Sequence, residues 1–234
     1  MRTLSQREMA AVSGGMDTIT VTGTRPKQSW WEKQMILNMF STDYTIDLQE
    51  PAKFGGGGAP VTETESDHDC ELSAANDVAS DITARDAADG KSGLKQPEYG
   101  AVIVQTPTGG YEVGPIAQGQ SYNEANPPAT NITIPAGYGI GDVTGVVHSH
   151  PPTGNSATDT ANLAPSDNDW SNADSWVAGG MPADQLTLYI IGPDGVTRAY
   201  DYQTPAERGA TSANPSGTVT ASDGEAVGSG AGSC

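Results

Sequence analysis

The apolar positions of this chain fall into short runs of period two, gathered in its middle, between stretches with no periodicity. The densest run is 143–149, nearly continuous in apolar content, which predicts a strand covered on both faces. Upstream, residues 98–105 predict a strand, Pro107 to Gly110 a turn, and 111–116 a second strand, together a hairpin. A loop with Asn126-Pro127-Pro128 leads to a short strand over 132–135. Two more strands, 186–191 and 196–202, are joined by Pro193-Asp194-Gly195.

Two stretches carry helical spacing around these strands. Residues 72–88 set Leu72, Ala75, Val78, Ala79 and Ile82 on one side and acids on the other, and Gly90 stops them. A second helix starts near Ser166. The order helix, hairpin, strand, helix, hairpin predicts an α+β fold, an α/β/α sandwich around a mixed β-sheet flanked by helices.

Outside 72–204 the pattern weakens. Residues 17–24 alternate Ile19 and Val21 with threonines and predict a short strand or arm. Residues 28–40, with Trp30, Trp31, Met35, Ile36, Met39 and Phe40, suit an amphipathic helix. Gly55 to Gly58 mark a flexible linker, and the acidic run Glu63, Glu65, Asp67, Asp69 and Glu71 reads as solvated. Residues 205–234 are rich in Gly, Ser, Ala and Thr and are expected to be a disordered tail. The expected division is therefore 1–15, 16–71, a domain over 72–204, and the tail.

Composition narrows the partners. Eleven basic against twenty-nine acidic residues give a formal charge of −18, which repels phosphate backbones and anionic membrane surfaces. Nucleic acid is excluded on that ground, and no apolar run is long enough for a membrane span. Cys70 and Cys234 are too few for a disulfide framework; at most they make one bridge outside the cell.

The first fifteen residues hold a separate signal. Leu4, Met9 and Val12 can share part of one helical face, and the segment ends at Gly14-Gly15. With Ser5 and Glu8 in register, it resembles the double-glycine leader of bacteriocins and microcins. The resemblance implies cleavage after Gly15 by the peptidase domain of an ABC transporter, and a secreted, extracellular mature protein. Two glycines without side chains suit a narrow protease cleft.

Candidate chemistry centres on three histidines, His68, His148 and His150. Alternate residues of a strand share a face, so His148 and His150 point the same way at the end of 143–149. Catalytic zinc commonly takes two histidines and a carboxylate. His68 lies in the acidic segment, and neither it nor Cys70 has a ligand pair at a recognised spacing, so a carboxylate should complete the shell. Asp169 is favoured over Asp159, Asp167 and Asp174. Ser166 and Asp169, three apart at a helix start, also fit a helix cap with Ser166 at N-cap and Asp169 at N3. Both roles are compatible.

A glutamate before His148-Ser149-His150-Pro151, followed by Ser166 and Asp169, resembles the JAMM motif of the JAB/MPN metalloproteases. The glutamate is Glu98, with Glu112 and Glu124 as alternatives. The likeness spans about 72–202, and its long spacer, 151–165, is closest to bacterial JAB-like domains of secreted and toxin-associated proteins. It implies a cytidine-deaminase-like JAB/MPN architecture and Zn2+ held by His148, His150 and Asp169. Glu98 would be general base and Ser166 oxyanion stabiliser. The implied function is an exported peptidase or isopeptidase, a hydrolase of peptide or protein substrates, plausible as a toxin-like competition effector with an immunity protein as partner. A non-catalytic JAB-like binding module, or a microcin-like precursor whose tail is the active product, are the alternatives.

Overall fold

The computed structural model describes residues 44–47, 65–124 and 130–228. The Gly14-Gly15 leader, the arm over 17–24, the helix over 28–40, the glycine linker and residues 229–234 lie outside them. Nine strands are described: β1 (Tyr44–Asp47), β2 (Pro97–Gln105), β3 (Tyr111–Val113), β4 (Ala117–Ser121), β5 (Thr130–Thr133), β6 (Val143–Ser149), β7 (Thr187–Ile191), β8 (Thr197–Asp201) and β9 (Glu225–Ala226). Three α-helices accompany them: α1 (Glu65–Asp89), α2 (Ser156–Ala161) and α3 (Asp167–Gly179).

Seven strands form one sheet in the order β3-β2-β6-β7-β8-β9, with β4 also on β2, while β1 and β5 pair in parallel as a separate ribbon. Within the large sheet β6 and β7 are parallel and the other pairings antiparallel, so the sheet is mixed, as expected. Alternation in β2, β6, β7 and β8 divides the core between its faces. Ala101, Ile103, Val147, Tyr189, Ile191 and Ala199 meet Ala75, Val78, Ala79 and Ile82 of α1 on one face. Val102, Val146, Leu188, Ile190 and Tyr200 pack on the other face with Trp170, Ala173 and Trp176 of α3. The class is α+β with helices on both faces.

Element ends follow local chemistry. Strand β6 has the expected bounds. Strand β3 stops at Val113, short of 116: the Gly114 amide still donates to the Val102 carbonyl (2.8 Å), but Pro115 offers no N–H to continue the ladder. Strand β5 ends at Thr133, since Pro135 removes a ladder donor and biases Ile134. Strands β4 and β9 and helix α2 have no apolar period, and neither they nor β1, short though alternating at Tyr44 and Ile46, were expected.

The N-terminal end of the folded unit is corrected first. The acidic run is not merely solvated, and the folded unit does not begin at 72. Helix α1 starts at Glu65. Glu71 is buried, and its Oε1 accepts a hydrogen bond of 3.1 Å from the Tyr189 hydroxyl. Gly145 makes room for it: a Cβ there would lie 2.8 Å from Glu71 Oε1.

The second correction concerns the tail, since residues 205–228 are ordered against the domain. Arg208 is 1% exposed and donates twice to Asp174 (2.5 and 3.1 Å) and to the carbonyls of Gln203 and Pro215. Its guanidinium lies 4.8 Å above the Trp170 ring, within cation–π range. Strand β9 then pairs with β8. A segment poor in apolar residues is held here by one satisfied arginine, the Ser216–Asp167 bonds, backbone pairing and the packing of Val219 and Val227. Composition alone misses that.

Candidate metal centre

The site forms where β6 ends beside the start of α3. His148 follows Val146 on the α3 face of the sheet, and His150 continues that alternation just past the strand end. The His150 amide donates to the Ile191 carbonyl (2.9 Å), extending the pairing with β7 and holding the second imidazole beside the first. Opposite His148 in the antiparallel register stands Gly100 of β2. A Cβ there would come within 2.9 Å of Ile132 Cδ1 and 3.4 Å of His148 Cβ, so the missing side chain leaves the ring its place.

Asp169 enters from the first turn of α3. Ser166 is the N-cap: its Oγ accepts from the Asp169 amide (3.3 Å), and its own amide donates to Asp169 Oδ2 (2.6 Å). This is the reciprocal capping box expected of these residues. The cap fixes the carboxylate where it faces both imidazoles. Oδ1 lies 3.2 Å from His148 Nε2, Oδ2 lies 3.3 Å from His150 Nε2, and the two Nε2 atoms are 3.0 Å apart.

All three groups are buried, at 1, 5 and 3% exposure for His148, His150 and Asp169. Ligand atoms held about 2.0 Å from a tetrahedral zinc lie about 3.3 Å from one another, close to the separations found here. His150 Nδ1 is 2.9 Å from the Asn162 carbonyl. That acceptor holds a proton on Nδ1 and directs Nε2 at the cluster, the usual outer support of a metal-ligating histidine. Two imidazole nitrogens and a carboxylate oxygen therefore converge in a buried site. The group could hold a metal ion.

The charges agree with that reading. Burial holds His148 below the ordinary imidazole value, against the pull of Asp169. Burial also opposes protonation of His150, but the hydrogen bond and charge of Asp169, then Glu98 and the Asn162 carbonyl, push it up to about 9. For Asp169, burial works against ionisation and the two histidines overcome it, keeping the carboxyl well below its usual range. Without an ion, a proton is the cation among these acceptors. A divalent metal would take its place and bind both rings as neutral ligands.

Glu98 shares the face of Gly100 and Val102 on β2, is 5% exposed, and its charge acts on His150. Glu112 instead accepts from the Tyr138 hydroxyl (2.9 Å), and Glu124 caps Ser121 through its amide (2.8 Å). The alternative aspartates are also occupied elsewhere: Asp159 with Thr153, Asp167 with Ser216, and Asp174 with Arg208. His68 lies on α1 and lines a shallow cleft with Asp184 and Asp201; Cys70 is disulfide-bonded. Neither joins the cluster. Sequence reasoning missed Gly100 and Asn162. The first contributes an absent side chain and the second a backbone carbonyl, and neither leaves a residue-type signal.

Compared with known proteins, the chain matches no family model, no curated protein and no solved structure. Among the described residues no helix is long and apolar enough to cross a membrane.

Proposed function

We propose that the protein is an exported zinc-dependent peptidase or isopeptidase of JAMM type, on a cytidine-deaminase-like JAB/MPN architecture. One observation carries the reading: His148, His150 and Asp169 converge within about 3 Å at a strand end and a helix start, with Glu98 buried on the same face. A zinc ion bound there supplies Lewis acidity at neutral pH. His148, His150 and Asp169 are the residues that would hold it. Glu98 is the group to take a proton from the attacking water and return it to the leaving nitrogen. Ser166 builds the cap that orients Asp169, and its hydroxyl is the proposed donor to the substrate oxygen.

Zinc is the proposed ion, although two histidines and a carboxylate also suit iron(II). The leader resemblance adds export through an ABC transporter, and with it a role outside the producing cell. A non-catalytic binding module is the second reading, favoured by the burial of every ligand side chain.

Metal analysis of the purified protein, beside a screen of polypeptide, isopeptide and peptidoglycan-stem substrates, tests the proposal. One zinc per chain and turnover abolished in Glu98→Gln are expected. Full folding without metal under zinc-replete conditions would sink the zinc reading. Stoichiometric iron would point to other chemistry, and zinc with no turnover would leave the binding module.

A further inference from the structure

The three ligands are buried, and the segment that joins their two elements reaches them through the Asn162 carbonyl, 2.9 Å from His150 Nδ1. Residues 151–165 leave β6, form α2 and return to the Ser166 cap. Helix α2 contributes no buried side chain. The segment carries its own internal order instead. Asn155 caps α2 by accepting from the amides of Ala157 (3.0 Å) and Thr158 (3.2 Å), and Asp159 accepts from the amide and hydroxyl of Thr153, both at 2.7 Å. Gly154, at φ +80°, supplies a left-handed bend, and prolines bound the segment at 151, 152 and 165.

Ala164 anchors the exit in the core, and what ties α2 itself to the domain is a small set of polar contacts. The Asn162 side-chain amide donates to the Tyr122 hydroxyl (3.3 Å), its carbonyl accepts from His150, and the Tyr200 hydroxyl donates to the Leu163 carbonyl (2.9 Å). Helix α2, with internal hydrogen bonds and no buried side chain, can open at low free-energy cost while buried Pro151, Ala164 and Pro165 hold the ends of the segment in place. Two of these contacts meet at Asn162, one reaching the rim at Tyr122 and the other a ligand.

We infer that residues 152–163 are a movable cover over the metal centre, latched by Asn162 to Tyr122 and to His150, so that opening both admits substrate and withdraws the outer support of one ligand. This regulation rests on the metal-centre reading above. It reconciles fully buried ligands with a polymeric substrate: the described state is the closed one. Closing restores the acceptor on His150 Nδ1, so a bound metal and a closed cover favour each other.

The test loads the full chain with zinc and follows its transfer to the chelator 4-(2-pyridylazo)resorcinol, together with hydrogen exchange of the α2 amides. Tyr122→Phe and Asn162→Ala each remove the same side-chain bond. Each should speed zinc transfer about threefold to tenfold while the starting zinc stays at one per chain. The double variant should be no faster than either single one. The α2 amides should exchange well before those of β6, and faster still in both variants. Transfer rates equal to wild type, effects that multiply, or α2 amides protected as strongly as β6 would overturn the cover. If wild type takes up no zinc, the metal reading fails by itself, and the exchange measurement still decides whether the segment opens.

Discussion

Each face of the sheet buries a carboxylate brought in by a helix, and the two are used in opposite ways. On the α1 face, Glu71 at 1% exposure meets the Tyr189 hydroxyl, a donor that gives its proton to the acceptor. On the α3 face, Asp169 at 3% exposure meets two imidazoles whose Nε2 atoms also face each other at 3.0 Å. The first arrangement matches a donor to an acceptor. The second gathers acceptors and is completed only by a cation, whether a proton or a metal. Burial of an acid is therefore no mark of a metal site by itself; the count of donors against acceptors around it decides.

The strongest way to break this contrast is to remove a ligand. Asp169→Asn keeps an oxygen for the Ser166 amide and so preserves the helix cap, but it removes the charge that faces the imidazoles. Zinc affinity should fall by more than the roughly 10–100-fold typical of losing an outer-shell partner. His148→Ala should abolish stoichiometric zinc. Competition with a chelator of known affinity measures both. Retained tight binding in either variant would place the ion elsewhere.

The α3 face owes part of its rigidity to the chain beyond Pro205. Arg208→Ala leaves Asp174 without its guanidinium and takes the cation from above Trp170, the residue after Asp169. Because Asp174 is partly exposed, the cost belongs at the low end for a broken buried pair, about 3 kcal/mol in urea unfolding. Limited proteolysis should then cut within 205–228 before it cuts the sheet. Unchanged resistance there would mean that β9 pairing, the Ser216–Asp167 bonds and the packing of Val219 and Val227 hold the segment without Arg208.

The contrast also marks what a sequence can carry. Alternation placed β6 correctly, put both histidines on one face, and located the buried side of α1 from Ala75 to Ile82. The reciprocal bonding of Ser166 and Asp169 was legible because a cap is a local device with a residue code. Arg208 was not, since its partners lie up to 34 positions away and nothing in a Gly- and Ser-rich stretch announces them. Nor was Gly100, whose part is to be small. The carbonyl of Asn162 belongs to every residue type and emits no signal at all. Features that depend on side-chain type and short spacing were readable, whereas those made of backbone, emptiness or distant pairing were not.

On the α1 face, Tyr189→Phe removes the hydroxyl that Glu71 accepts from, with the ring still filling the core. Loss of one donor from a buried carboxylate should cost about 1–3 kcal/mol in denaturant unfolding, with zinc content unchanged. That pairing of results separates the faces: stability moves while metal binding does not. A parallel fall in zinc would show that the two faces are coupled through β6.

The smallest expected effect lies at the far end of α1. Burial pushes Asp86 up to about 6, helped by the charge of Asp89 and opposed by a hydrogen bond with Gln96. An acid whose folded value lies above its unfolded one, 3.8, binds more protons folded than unfolded between those two values. Its cost to the fold is therefore absent below 3.8, grows as pH rises through the window, and is complete above about 6. Since the side chain is only half-buried, solvent screening reduces that cost to about 1 kcal/mol. Asp86→Asn should accordingly stabilise the protein by about that much at pH 7, with a gain that fades toward pH 4. Urea midpoints taken across this range for wild type and variant check it. A gain that persisted undiminished at low pH would trace the effect to helix propensity rather than to the raised carboxyl of Asp86.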